Sequence, residues 1–171
     1  MKASRQHAYS SLAEIVVVMS LLKNEVDILR RVPLFSGVDA PKLKLLAFTS
    51  QVVRYRAQEK LFAQGDAGDS AYVILSGKAR VFADTDNGPI ELAEVGETDF
   101  VGEIAILCDV PRTATVEATS DLTALRVNKD CFGELLTTFP SMGIAMLREL
   151  GFRLSRTTAD LVAAESRNAH E

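Results

Sequence analysis

The spacing of apolar positions changes twice along the chain. Leu21, Leu22, Val26, Leu29 and Val32 recur at helical intervals and predict a helix over residues 20–32, ended by Pro33. A short turn over residues 34–38 follows. Asp39 is then placed to cap a second helix over about 40–48, with Leu43, Leu46 and Ala47 on one side. From Thr49 to about 127 the pattern becomes short apolar or alternating runs: Gln51–Tyr55, Lys60–Ala63, Ala71–Leu75, Ala79–Ala83, Ile90–Glu94, Thr115–Ala118 and Leu122–Val127. Turn residues separate them, and Asn87-Gly88 marks a hairpin. Val73 and Leu75 alternate with Tyr72 and Ile74, so that strand is expected to be covered on both faces. Helical spacing returns after Asn128. Lys129–Thr138 predicts a short helix with Phe132, Leu135 and Leu136 inward, and Pro140 opens a longer one to about 165.

The order is helices, then a β-sandwich or barrel, then helices. It divides the chain into an N-terminal extension (1–18), a helical segment (19–48), a β core (49–127) and C-terminal helices (128–171). A length of 171 residues suits this one domain with its helices. The chain is 47% apolar and 25% charged, a globular balance that excludes general disorder.

Charge and rare residues remove several function classes. Lys and Arg number 19 and Asp and Glu 23, a net charge of −4, which argues against direct nucleic-acid binding. The two histidines, His7 and His170, lie near the termini, so a His-built metal site or triad inside the β core is not expected. Cys108 and Cys131 form no CxxC pair and fit a reducing cytoplasm. The most apolar run, residues 12–22, is too short to span a bilayer and is interrupted by Glu14. No cleavage site precedes Lys23, so neither export nor a membrane partner is expected; Met19 is an alternative start.

The segment from Phe100 to Ala118 carries the chemistry. Gly102-Glu103 opens a helical run, Ile104–Leu107, inside the strand pattern. Asp109-Val110-Pro111 turns the chain, and Arg112-Thr113-Ala114 leads into the next strand. Backbone N–H groups at a helix start favour an anion, and a guanidinium adds charge-assisted hydrogen bonds. A carboxylate beside an anion site makes sense if it accepts from a hydroxyl on the same ligand. Phosphate plus ribose hydroxyl implies a nucleotide.

Gly102-Glu103-Ile104-Ala105-Ile106-Leu107 and Pro111-Arg112-Thr113-Ala114-Thr115-Val116 resemble the phosphate-binding cassette of the cyclic-nucleotide-binding domain family, within residues 100–116. That family includes bacterial catabolite activator proteins and protein kinase A regulatory subunits. The nine-residue step from Glu103 to Arg112 is that of the kinase-type members. Arg31–Gly37 resembles the family's opening motif, and Gly68–Gly77 its central hairpin. The resemblance implies a mainly β fold: a jelly-roll β-barrel flanked by N-terminal and C-terminal helices. It implies a ligand, cyclic AMP or cyclic GMP, but no cofactor, metal or catalysis. Glu103 would accept from the ribose 2′-OH, Gly102 would allow close backbone approach, and Arg112 would pair with the cyclic phosphate. Ile104 and Ala105 would donate backbone N–H groups, and Thr113 and Ala114 would complete the site. Val101 departs from the family pattern, as does Glu97-Thr98-Asp99, which stands where the family carries a turn glycine.

Other readings compete residue by residue. Glu103 and Arg112 also read as a structural ion pair. Cys108 reads as a packing residue more readily than as a redox switch, and Asp66, Asp69, Asp84 and Asp86 as turn residues rather than calcium ligands. Leu147, Leu150, Leu154, Thr157, Leu161 and Ala164 suit a homodimer seam or, more commonly for so short a run, a stripe packed on the barrel. In the family this helix acts as a lid over the base, which makes Arg148, Phe152, Arg153 and Arg156 candidates to touch it. The expected function is a non-catalytic cyclic-nucleotide sensor that repositions its C-terminal helices toward an unknown protein effector. The alternatives are a relative of catabolite-activator-type transcription regulators without their DNA-binding domain, for which too few residues follow the last helix, and a module that has lost its ligand. A cupin-type enzyme fails for want of barrel histidines.

Overall fold

The computed structural model describes residues 26–35 and 38–168. Residues 26–29 are the described end of a helix, and a 3-10 turn spans Pro33–Phe35. Then come α1 (Ala40–Thr49), β1 (Gln51–Tyr55), β2 (Lys60–Phe62), β3 (Ser70–Ser76), β4 (Ala79–Thr85), β5 (Gly88–Val95) and β6 (Phe100–Val101). The chain continues with α2 (Glu103–Leu107), β7 (Thr115–Ala118), β8 (Leu122–Asn128), α3 (Lys129–Thr138) and α4 (Pro140–Asn168).

The strands form two four-stranded antiparallel sheets, ordered β1-β8-β3-β6 and β2-β7-β4-β5. The chain crosses between sheets at almost every step, which gives the expected jelly-roll β fold between helices. β3 sits inside the first sheet and is apolar on both faces. Its Tyr72 and Ile74 face the other sheet, packing with Leu61, Val101, Val116 and Leu122. Its Ala71, Val73 and Leu75 face the helices, where Leu29, Phe35, Leu43, Phe100, Phe132 and Met142 form a second core. The Phe100 ring meets Phe35 edge-on at 6.4 Å and Phe132 at 5.4 Å. Emptying the Phe132 site would cost about 3–5 kcal/mol.

Local signals set most boundaries. Asp39 accepts from Lys42 N at 3.3 Å, and Asn128 from Cys131 N at 2.7 Å, capping α1 and α3. Gly77 closes the β3–β4 turn at φ 88°, where a Cβ would stand 2.3 Å from the Asp121 carbonyl.

Two expectations are corrected. The helix foreseen to Val32 ends at Leu29; Arg31 and Val32 bond three residues back, to Ile28 and Leu29. The cause is Pro33, which disfavours helical backbone at the residue before it. Residues 20–25 of that expectation lie outside the described residues, as does the extension 1–18. Of the leucines in the α4 stripe, only Leu150 packs against the core. Leu147, Leu154 and Leu161 are 71%, 69% and 60% exposed, and the inward face instead carries Met142 and Met146, with Leu150 partly buried.

Candidate functional site

The segment between β6 and β7 leaves the sheet and returns to it. Gly102 makes this departure at φ 86°, in the left-handed region. A Cβ there would lie 2.6 Å from Arg112 Nη1 and 3.2 Å from the Phe62 ring. Gly102 therefore serves both the turn and the close approach of Arg112. The five-residue α2 follows, and like any helix it leaves its first N–H groups without intrahelical acceptors. Its Ala105 is buried and its Ile104 is 41% exposed.

Arg112 is 3% exposed. Its Nη1 donates to the Gly102 carbonyl at 2.8 Å and its Nη2 to the Ser70 carbonyl at 2.6 Å. The guanidinium stacks on the Phe62 ring at 4.1 Å. Asp69 Oδ1 stands 3.5 Å from Nη2, an ion pair without a hydrogen bond between them. Arg112 Nε is buried and has no acceptor. Burial pulls the guanidinium's pKa down from its ordinary value.

Glu103 is also 3% exposed. Burial pushes its carboxyl above the ordinary carboxylate value, opposed by the charge of Arg153. Arg153 reaches in from α4; its Nη1 donates to Glu103 Oε1 at 2.8 Å and its Nη2 to the Phe100 carbonyl at 2.8 Å. Glu103 and Arg112 are thus not paired with each other, and the simple structural ion pair is not what the fold builds.

Both side chains line one cavity of about 430 Å³, within the size range of small-molecule sites. Gly102, Ile104, Ala105, Thr113 and Ala114 line it too, so all seven residues foreseen from the sequence meet there. Val81, Leu92 and Val116 add apolar wall. Of the four lid candidates, Phe152, Arg153 and Arg156 line the cavity; Arg148 is exposed elsewhere. Cys108 is exposed at the end of α2, so it is not the packing residue expected. Phe62, Ser70 and Asp69 escaped the sequence reading. Gly68–Gly77 flagged the last two only as hairpin, and no local signal marks Phe62.

Residues 52–139 match the model of the family described as cyclic nucleotide-binding domain. The chain belongs to that family. It is 29% identical over 136 residues to a CRP-like cAMP-activated global transcriptional regulator of Mycobacterium tuberculosis, covering 79% of this chain and 61% of the regulator. It is 33% identical over 108 residues to a cAMP-dependent protein kinase regulatory subunit of Aspergillus niger, covering 63% of this chain and 26% of the subunit. The structure of Thermus thermophilus catabolite activator protein matches with a TM-score of 0.70 and 27% identity, over 78% of this chain and 63% of that one. The chain therefore spans about three fifths of the bacterial relatives and about a quarter of the kinase subunit. These relatives are regulators. Among the described residues, no helix is long and apolar enough to cross a membrane.

Proposed function

We propose that this domain is a cyclic-nucleotide sensor, with cyclic AMP as its ligand and binding rather than turnover as its output. One observation carries the reading: a buried guanidinium whose Nε has no acceptor, on the wall of a cavity that also holds a buried carboxylate. A buried N–H left without an acceptor is costly unless something completes it. A phosphate does so, and a ribose hydroxyl on the same ligand gives Glu103 a second donor beside Arg153. The N–H groups of Ile104 and Ala105 extend the phosphate cradle, Gly102 lets the ligand approach, and Thr113 and Ala114 flank Arg112. The cAMP in the names of both relatives supports cyclic AMP over cyclic GMP.

Because Arg153 binds Glu103 from α4, a ligand that engages Glu103 must also act on α4. It shifts the position of α4 by its differential affinity for the two arrangements. The signal passes to a protein effector, or to a second copy through the exposed Leu147, Leu154 and Leu161, in the cytoplasm. The net charge of −4 speaks against direct DNA contact by this domain.

Calorimetric titration with cyclic AMP and cyclic GMP, on the wild type and Arg112→Ala, tests the reading. The expected result is saturable binding by the wild type and none by the variant, with circular dichroism showing that the variant is folded. Unchanged affinity in Arg112→Ala, or no binding of either nucleotide to the wild type, overturns it.

A further inference from the structure

A second arginine stands behind Arg112. Ser70, wholly buried at the start of β3, accepts from Arg112 at its carbonyl, while its hydroxyl accepts from Arg126 Nε on β8 at 3.1 Å. The same hydroxyl donates to Asp69 Oδ1 at 2.7 Å. Arg126 Nη2 then donates to Asp69 Oδ2 at 2.7 Å. The β3–β8 register, with Tyr72 opposite Arg126, brings these groups together.

Two guanidiniums thus face one carboxylate, and they do not share it equally. Both oxygens of Asp69 are engaged, one by Arg126 and one by Ser70. Arg112 Nη2 stands 3.5 Å from Oδ1 with no hydrogen bond to it, and donates instead to the Ser70 carbonyl at 2.6 Å and to the Ser70 hydroxyl at 3.5 Å. The Asp69 side chain is 61% exposed, so bonds rather than packing hold it. Its carboxyl lies below the ordinary value, chiefly through the Ser70 hydrogen bond and then the charges of Arg126 and Arg112, so it is ionised at neutral pH. An ionised carboxylate free to swing would close on Arg112 and compete with an incoming anion.

We propose that Arg126 is a positioning residue for anion recognition: by holding Asp69 on its own guanidinium, it keeps that carboxylate off Arg112. The inference rests on Arg112 being the phosphate-binding group. Arg126 touches no ligand in this scheme; it acts through Asp69.

A double-mutant cycle separates this role from a general charge effect. Cyclic AMP affinity is measured by calorimetry in the wild type, Arg126→Ala, Asp69→Asn and the double variant, with urea midpoints as a check on folding. Arg126→Ala should weaken binding about tenfold when Asp69 is present, and less than about twofold when residue 69 is already Asn. Equal weakening in both backgrounds, or none in either, overturns the proposal. A second measurement needs no ligand: the Arg112 Nε–H resonance should move in Arg126→Ala and return toward the wild-type position in the double variant. A resonance that does not move overturns the proposal as well. If the wild type binds neither nucleotide, the reading of Arg112 falls, while this resonance still decides whether Arg126 governs Asp69.

Discussion

Arg153 Nη1 lies 2.8 Å from Glu103 Oε1 and ties the last helix to the floor of the cavity. The two residues are 50 positions apart in the chain and belong to α4 and α2. The bond is a direct side-chain link between the candidate site and the element proposed to carry its signal.

Removing it should loosen the helix. Arg153→Ala leaves the buried Glu103 without its cation, and the Phe100 carbonyl without its donor. We expect a loss of about 1–3 kcal/mol in urea unfolding, together with faster amide exchange in α4. An unchanged midpoint with unchanged exchange would mean that α4 is held without this bond.

The same carboxylate sets a pH dependence. Burial raises the Glu103 pKa above its ordinary value of 4.5 in the folded state. The folded protein therefore holds that proton more tightly than the unfolded chain. This contribution is full below 4.5 and is lost as pH rises through the folded value. Asp69 runs the other way: its pKa is lowered, so its contribution is lost as pH falls below its ordinary 3.8. Unfolding measured across about pH 4–7 should show a downward slope with rising pH that Glu103→Gln removes. A slope unaltered by that substitution would assign it to another group.

Thr98 holds a left-handed backbone at φ 73°, an uncommon setting for a β-branched residue. The turn is kept by Thr98 N donating to the Ile74 carbonyl at 2.9 Å and by Gly96 N donating to Asp99 Oδ2 at 2.8 Å. Neither bond uses the Thr98 side chain. Thr98→Gly should therefore stabilise the domain by about 1 kcal/mol, read as a raised urea midpoint. A lowered midpoint would show that the threonine side chain contributes more than its backbone costs.

Gly102→Ala tests the close approach at the site. Its Cβ would intrude on Arg112 Nη1 and the Phe62 ring while the backbone stays left-handed. Cyclic AMP affinity should fall at least about tenfold, and stability by about 1–2 kcal/mol. Wild-type affinity in this variant would place the phosphate away from Arg112.

Much of the fold was legible because its signals are local. β1, β7 and α3 begin and end where alternation and the Asn128 cap place them. The two-sided burial of β3 follows from an uninterrupted apolar run. β6 escaped because two residues carry no period. The inward face of α4 escaped because its strongest leucine stripe points to solvent, while Arg153 supplies a polar contact on the inward side.

The cassette could be read directly because Gly102, Glu103 and Arg112 lie within one contiguous stretch whose order resembles the family's cassette. The sequence by itself therefore determined most of the strands and helices and seven of the residues that line the cavity. Only the tertiary structure decided which groups face them. Phe62 lies under Arg112, Ser70 and Asp69 lie beside it, Arg126 holds Asp69, and Arg153 closes on Glu103. Those partners arrive from β2, the loop after it, β3, β8 and α4, brought together by sheet register and helix packing. No local periodicity encodes such long-range contacts, because each depends on how the two sheets and α4 pack around a shared core.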